Sequence, residues 1–494
     1  MASALEWQQK PANTSDKVPV ITNWTPIIGY MLFQDDATTA SYYYYRLVLE
    51  VRLDDDSGTL LAKMKQRRNG YSADVAANKA RAFFDLRDIV NTQLTDTVFD
   101  QNDTGQPFRT IHKVGANTTS KPFSVNGDNT TDGTQIQTIY VKGYQQYSTT
   151  ATGIPTEVTT DTINDTLYYM PASLPLMTTR NSSASYIQSN AFNVFAGNSA
   201  TDRFLSDVET SSGDYNISGY INYVRWNDTT DVGDYHTLAF LNDYTNFASD
   251  LKYMGVRYYN SSGVQLSITL VSNIVSNGGA APQTESNTDA ERLIYYGCGT
   301  ANLEAQTVSG DGNVKPSAAA NAGWAYYTIE GGLTALGYDG TAIYYFIRQD
   351  GSCKGFKVRR LAWRNSLGCY DYYNFKMKST QTIEVERDNF NTMLGTFNQD
   401  YYSYNNTQRG KTTRQTTAIL KETLNTDWIT EQDGNLLEKL IYSTNVEIVE
   451  NEDTEFTEGV IITDSSFVKK TVANDKLMQY TINIEYANPI NTNS

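Results

Sequence analysis

Apolar and polar residues alternate along much of this chain with the two-residue period of a strand. In 45–53, Leu47, Leu49, Val51 and Leu53 fall on one face. Val48 is the single apolar residue opposite, beside Arg46, Glu50 and Arg52. That pattern predicts a half-buried strand, which the acidic run Asp54, Asp55, Asp56, Ser57, Gly58 turns into a second strand at 59–64. Within 256–275 a Gly263 hairpin turn precedes Val264, Leu266, Ile268 and Leu270, which alternate strictly. The clearest strand is near the end, where Met478, Tyr480, Ile482, Ile484 and Tyr486 alternate with Gln479, Thr481, Asn483 and Glu485.

Two stretches have a helical period. In 83–94, Leu86, Ile89, Val90 and Leu94 share one side. After Thr430, a suitable N-cap, Glu431 and Asp433 complement the helix dipole, and Leu436, Leu437, Leu440 and Ile441 form an apolar stripe. Shorter strands are predicted at 190–195, 218–226, 237–241, 326–329, 341–347, 382–385, 445–449 and 460–463. The stretch 114–160 is polar and reads as long surface loops around one strand near Tyr140 and Val141. Further polar interruptions cover 276–290 and 306–323, and 450–455 reads as an acidic hairpin tip. The fold is therefore expected to be mainly β: several β-sandwich-like domains with long polar loops and two short helices. The expected segments are a polar leader (1–20), a β-sandwich domain (21–112), a central β domain with loop insertions (113–290), a β domain with an aromatic, arginine-rich corner (291–423) and a helix-plus-strand module (424–494).

That corner, 358–375, reads as a strand, a tight turn at 365–368 and a second strand from Tyr370. Gly368 suits the turn because glycine takes positive φ without steric cost. Arg359, Arg360 and Arg364 are expected to pair with acidic residues of this or a neighbouring subunit. Trp363, Tyr372 and Phe375 are expected to be buried. Asn365 and Asp371 complete the corner, and Trp428 joins these residues as a structural or interface candidate.

Composition agrees with a β-rich chain. Of 494 residues, 36 are tyrosine and only 11 proline, which leaves most turns to Asn, Asp and Gly. The formal charge is −16, so a broad basic surface for nucleic acid is not expected. The exception is the cluster Lys63, Lys65, Arg67, Arg68, which reads as a solvated strand edge or a subunit contact. Three cysteines, Cys298, Cys353 and Cys369, show neither a paired motif nor zinc spacing and read as buried thiols. No apolar run is long enough to span a membrane, and residues 1–10 lack a signal-peptide layout, so folding in a reducing cytoplasm is expected.

Candidate chemistry is sparse. Two histidines, His112 and His236, stand far from any cysteine or nucleophile motif. Neither the Asp54–Asp56 triplet nor the calcium-loop-like run at 128–133 carries the ligand spacing of a metal site. No catalytic, cofactor or metal residues are assigned. Paired carboxylates for glycoside hydrolysis could be drawn anywhere from 55 acidic residues, and no spacing singles out a pair. Tyrosine clusters at 42–45, 370–373 and 401–404 suit subunit interfaces or stacking on sugars.

Several blocks in order carry a likeness to a known family. They are Trp24 to Ile27, Phe84 to Val90, Asn190 to Phe195 followed by Arg203 to Leu205, the corner Arg360 to Phe375, Trp428 to Glu431 with Leu440 to Ser443, and the strands 460–464 and 480–487. In these the chain resembles virion structural proteins of tailed bacteriophages, especially large tail or baseplate-type proteins from phages of Bacteroidetes hosts. It departs at Cys369, where the family usually has a second glycine. The resemblance implies a non-enzymatic virion component, assembled in the host cytoplasm as a multi-subunit ring or sleeve in the tail, neck or baseplate. Its partners would be copies of itself and other virion proteins. The alternatives are a glycan-binding tail adhesin or, further off, a glycan depolymerase.

Overall fold

The structure, a computed structural model, describes residues 5–9, 19–21, 29–34, 42–67, 80–91, 111–114, 123–126, 137–170, 203–241, 253–272, 293–306, 312–332, 341–350, 356–397, 400–405, 407–449, 457–464, 478–489 and 491–493. It is mainly β, with three α-helices among the described residues. The chain forms two compact units, Met1–Gln349 with Asn365–Asp371, and Asp350–Arg364 with Tyr372–Ser494. The expected strand at 190–195, the interruption at 276–290, the acidic tip at 450–455 and Cys353 lie outside the described residues.

In the first unit, a five-stranded sheet runs Pro19–Ile21, Thr156–Met170, Gln137–Ser148, Tyr43–Leu53, Leu60–Arg67 in spatial order. A three-stranded sheet of Leu5–Gln9, Gly29–Gln34 and Ala80–Asp85 shares its core. Leu32, Ala82 and Phe84 pack with Leu47, Leu49, Val51, Ile139 and Val141. Three local readings change here. First, Tyr43–Leu53 is flanked by strands on both sides, so Val48 and Glu50 are buried as well as Leu47, Leu49 and Val51 of the expected face, while Leu53 is half-buried. Second, 83–94 is not one helix. Phe83 and Phe84 end a strand in which Ala80, Ala82 and Phe84 point inward, and the helix is the five-residue Arg87–Asn91. Third, 137–170 is a long hairpin inside the sheet rather than loops around one strand. Threonine-rich strands satisfy their backbone through pairing, which compensates for a thin apolar pattern.

The same unit contains a seven-stranded sheet. Its order is Thr210–Ser212, Ser218–Asn227, Tyr344–Asp350, Tyr326–Gly332, Tyr253–Tyr259, Gln265–Ser272, with Val232–Gly233 beside Ser218–Asn227. A three-stranded sheet of Thr237–Leu241, Leu293–Gly297 and Phe123–Asn126 supplies Phe240, whose ring meets Phe204, which in turn meets Tyr344. Gly263 takes φ 76° in the expected hairpin turn. In the following strand the buried residues are Thr269 and Val271, not the Val264–Leu270 face, because short 3-10 helices at Gly312–Val314 and Ala319–Asn321 pack on the other side. Asn321 donates to the carbonyls of Asn313 (2.7 Å) and Lys315 (2.8 Å), so this polar segment folds on itself. A helix that periodicity did not reveal, Thr300–Ala305, follows Gly299.

The second unit is built on an eight-stranded sheet. Its order is Tyr370–Phe375, Arg359–Arg364, Val446–Ile448, Glu458–Ile462, Thr481–Tyr486, Lys411–Asn425, Thr380–Asn391, and Asn491–Asn493 also pairs with Lys411–Asn425. The helix after Thr430 is Glu431–Tyr442. Thr430 and Asp433 form a reciprocal capping box, and Leu436, Leu437 and Leu440 are buried. The terminal alternation holds residue by residue: Met478, Tyr480, Ile482, Ile484 and Tyr486 are all buried.

Candidate functional site

The corner forms as its residues suggest. Arg359–Arg364 and Tyr370–Phe375 are strands, and the Gly368 N–H donates to the Asn365 carbonyl at 3.1 Å with Gly368 at φ 85°. Trp363, Tyr372 and Phe375 are buried, and so is every other residue of both strands.

Within the second unit, burial of the arginines requires partners, since an unpaired buried charge is costly. Arg359 Nε donates to Glu422 at 2.9 Å. Glu422 also accepts from the Tyr486 hydroxyl at 3.0 Å and from Gln381 at 3.2 Å. Burial alone would raise the Glu422 carboxyl, but bonds from Ser379, Arg359 and Gln381 hold it below the ordinary carboxylate value. Arg360 donates to the Asn374 side chain at 2.9 Å and lies over the Tyr372 ring, 5.0 Å from its centre. The backbone of Arg364 donates to the Asn445 carbonyl at 3.0 Å.

Within the first unit, the turn is held by the segment around Ser206. The Asn365 side chain accepts from the N–H groups of Leu367 and Cys369, both at 3.0 Å, and donates to the Leu205 carbonyl at 2.9 Å. Ser366 N–H donates to the Asp207 carboxylate at 2.7 Å. Asp371, 1% exposed, accepts from the Ser206 hydroxyl at 2.6 Å and the Asp207 N–H at 2.9 Å. Burial, and next to it the charge of Asp207, pushes the Asp371 carboxyl up to about 7. Two blocks far apart in sequence thus form one hydrogen-bonded cluster. Ser206, Asp207 and Glu422 were invisible as partners, because nothing local marks which acid meets which corner residue.

Trp428 stands apart from the corner set. It is 60% exposed, at the entry to the Glu431–Tyr442 helix, and Tyr442 at the other end is similarly exposed.

A group of exposed apolar residues lies on a hairpin arm. Thr380–Asn391 pairs with Lys411–Asn425 from Thr380↔Thr423 to Asn391↔Lys411, with a bulge near Asp388 and Asn389. Every residue of Thr380–Asn391 is exposed. Neighbouring strands support Lys411–Asn425 at Lys421 to Asn425 and at Thr416 to Ala418. Beyond Thr416 the ribbon continues two-stranded to Lys411, roughly 17 Å at strand rise. Its tip folds back through Thr396–Phe397 and Tyr402–Ser403. Gly395 sits at φ 99°, where an added β-carbon would lie 2.7 Å from the Tyr402 ring. Thr392 N–H donates to the Gly410 carbonyl at 2.9 Å, and Thr413 to the Asn389 side chain at 2.8 Å. This hydrogen-bonded tip presents Phe390, Met393, Leu394, Tyr401, Tyr402 and Tyr404, between 40% and 69% exposed. The tyrosines were expected as a contact cluster. Lys411–Asn425 was missed, although its threonines and Ala418, Ile419 and Leu420 are a strand palette.

Other candidates have structural roles. Lys63, Lys65 and Arg67 of the basic cluster lie on Leu60–Arg67, at one edge of its sheet, as expected, while Arg68 lies outside the described residues. Lys63 bridges Glu50 at 3.0 Å and Glu157 at 2.7 Å, while Tyr144 donates to Glu50 at 2.7 Å. Burial acts to raise the Glu50 carboxyl, but the bonds from Tyr144, Lys63 and Arg52 bring it below its usual value. The Lys63 bond lowers the Glu157 carboxyl too. Both stay ionised at neutral pH, so neither suits a general acid. His112 and His236 are buried edge-on to Tyr370 and Phe346. Cys298 and Cys369 are buried free thiols. Asp55 accepts from both the N–H and hydroxyl of Ser57, which makes the acidic triplet a hairpin turn. Among the described residues no cluster of His, Cys, Asp and Glu could hold a metal, and no helix is long and apolar enough to cross a membrane.

No protein-family model matches this chain, and no curated protein matches it.

Proposed function

We propose that this chain is a non-enzymatic structural subunit of a tailed-phage virion, built into the tail, neck or baseplate as a ring or sleeve. The observation that supports assembly most directly is the arm. A two-stranded ribbon with exposed apolar side chains is at best marginally stable in water, and contiguous exposed apolar surface marks an interaction site. The buried corner supports a rigid wall, since Arg359 meets Glu422, Arg360 meets Asn374 and Tyr372, and its aromatics are enclosed. Placement in a phage particle rests on the sequence resemblance. Mass measurement and imaging of purified virions test the reading. A multi-copy ring containing this chain is expected; a chain absent from virions and persistently monomeric would end the proposal.

The exposed tyrosines at 401, 402 and 404 favour one second reading, a tail adhesin whose rings stack on host glycans. Glycan binding abolished by Tyr401→Ala with Tyr402→Ala, in a chain that still assembles, would carry that reading instead.

A further inference from the structure

We infer that the arm tip docks on the acidic body of a second copy of this chain, head to tail, and that the arm does not pair edge to edge with another arm. The inference rests on the structural reading above and names the element that would make the assembly.

Three observations lead to it. The first is the contrast between backbone and side chains at the tip. The backbone is held by its own short pairing, by Gly395 and by side-chain bonds, while six large apolar side chains remain exposed. A shaped backbone carrying uncovered aromatics presents contact area with little left to order on binding.

The second is charge. Residues 387–414 carry Arg387, Arg409, Lys411 and Arg414 against Asp388 and Asp400, an excess of two cations. The whole chain is −16, so the rest of the molecule is more acidic still. The distal ribbon is thus cationic beside an aromatic tip, and on an acidic chain this end of the arm is complementary to another copy's body and not to the end of another arm.

The third observation excludes the obvious alternative. Thr380–Asn391 lies at the end of its sheet, and among the described residues no strand pairs with its outer edge. Such an edge invites a second arm to add on. Yet Glu384, Glu386 and Asp388 alternate along one face of this strand, and among these three Lys421 of the neighbouring strand bridges Glu384 alone, so Glu386 and Asp388 keep the like-charge row. Two copies paired antiparallel about a twofold axis place residues of the same face opposite one another, so these carboxylates would confront their own counterparts. Like charges directly opposite are destabilising. Arm-to-arm pairing is therefore disfavoured, and a tip-to-body contact remains. Because tip and body are different surfaces, the contact is heterologous, and repeating it closes a ring when the rotation permits.

The test uses the full chain. Leu394→Cys, an exposed position, is labelled with a thiol-directed photo-crosslinker in a mixture of heavy-nitrogen and light-nitrogen chains. Heavy–light products joining position 394 to a residue outside 380–425 are expected. Products joining tip to tip, products within one chain alone, or no heavy–light product at the highest soluble concentration would overturn the inference. A second variant keeps the apolar residues and reverses the charge: Arg409→Glu, Lys411→Glu and Arg414→Glu together, all at exposed positions. Association about tenfold weaker or more is expected, with an unchanged circular-dichroism spectrum. Unchanged association would also overturn it. If rings persist in virions while the charge-reversed variant joins them as readily as the parent, the arm inference fails and the structural reading stands. If the chain is absent from virions, the structural reading fails whatever the tip does.

Discussion

Arg359 and Glu422 show how one pair can hold a corner together. Their side chains are almost wholly enclosed and 2.9 Å apart, and Glu422 also gathers Tyr486 and Gln381. Removing one charge strands the other in a dry site, which costs about 3–5 kcal/mol. Glu422→Gln is therefore expected to lower stability by about that amount in denaturant unfolding, whereas an exposed carboxylate such as Glu386→Gln stays within about 0.5 kcal/mol. Asp371 makes the opposite argument. Its carboxyl is raised to about 7 from the usual 3.8 by burial and by Asp207, so between those values the folded chain holds a proton that the unfolded chain has released. That contribution to stability is present at and below the ordinary carboxylate range and is lost as pH rises towards about 7. Asp371→Asn mimics the protonated form. Melting midpoints measured from about pH 5 to about pH 8 are expected to fall less steeply in this variant than in the parent. Identical slopes would show that Asp371 is not the titrating group.

Among the elements, the Glu431–Tyr442 helix and the arm stand at opposite extremes of self-sufficiency. The helix has its cap, its dipole-complementing acids and an enclosed leucine stripe. Thr430→Ala removes half of the capping box and is expected to cost about 1 kcal/mol in the unfolding free energy. The arm lacks an enclosed face along Thr380–Asn391. Its shape depends on pairing and on single residues such as Gly395, which tolerates no β-carbon beside Tyr402. Edge strands elsewhere are managed differently: Leu60–Arg67 carries Lys63 and Lys65 tied to Glu157, a charged edge that discourages further pairing. An edge can be closed by charge while the end of the same ribbon stays open for contact.

At the scale of the molecule, sheets are assembled from strands far apart in sequence. Thr156–Met170 pairs with Pro19–Ile21, and Arg359–Arg364 with Val446–Ile448. The sequence by itself determined the mainly-β class, the Gly263 and Gly368 turns, the capped helix and the terminal alternation, because turn chemistry, capping and a two-residue period are local properties. It also marked the corner as an enclosed aromatic site. Only the tertiary structure decided which faces are covered. Val48 and Glu50 are buried because Tyr43–Leu53 became a central strand, and Phe83 belongs to a strand because Gly29–Gln34 offered a partner. It alone matched Arg359 to Glu422 and Asp371 to Ser206, and left the arm uncovered. Periodicity states that a strand has two faces; which of them meets water depends on neighbours that no local window contains.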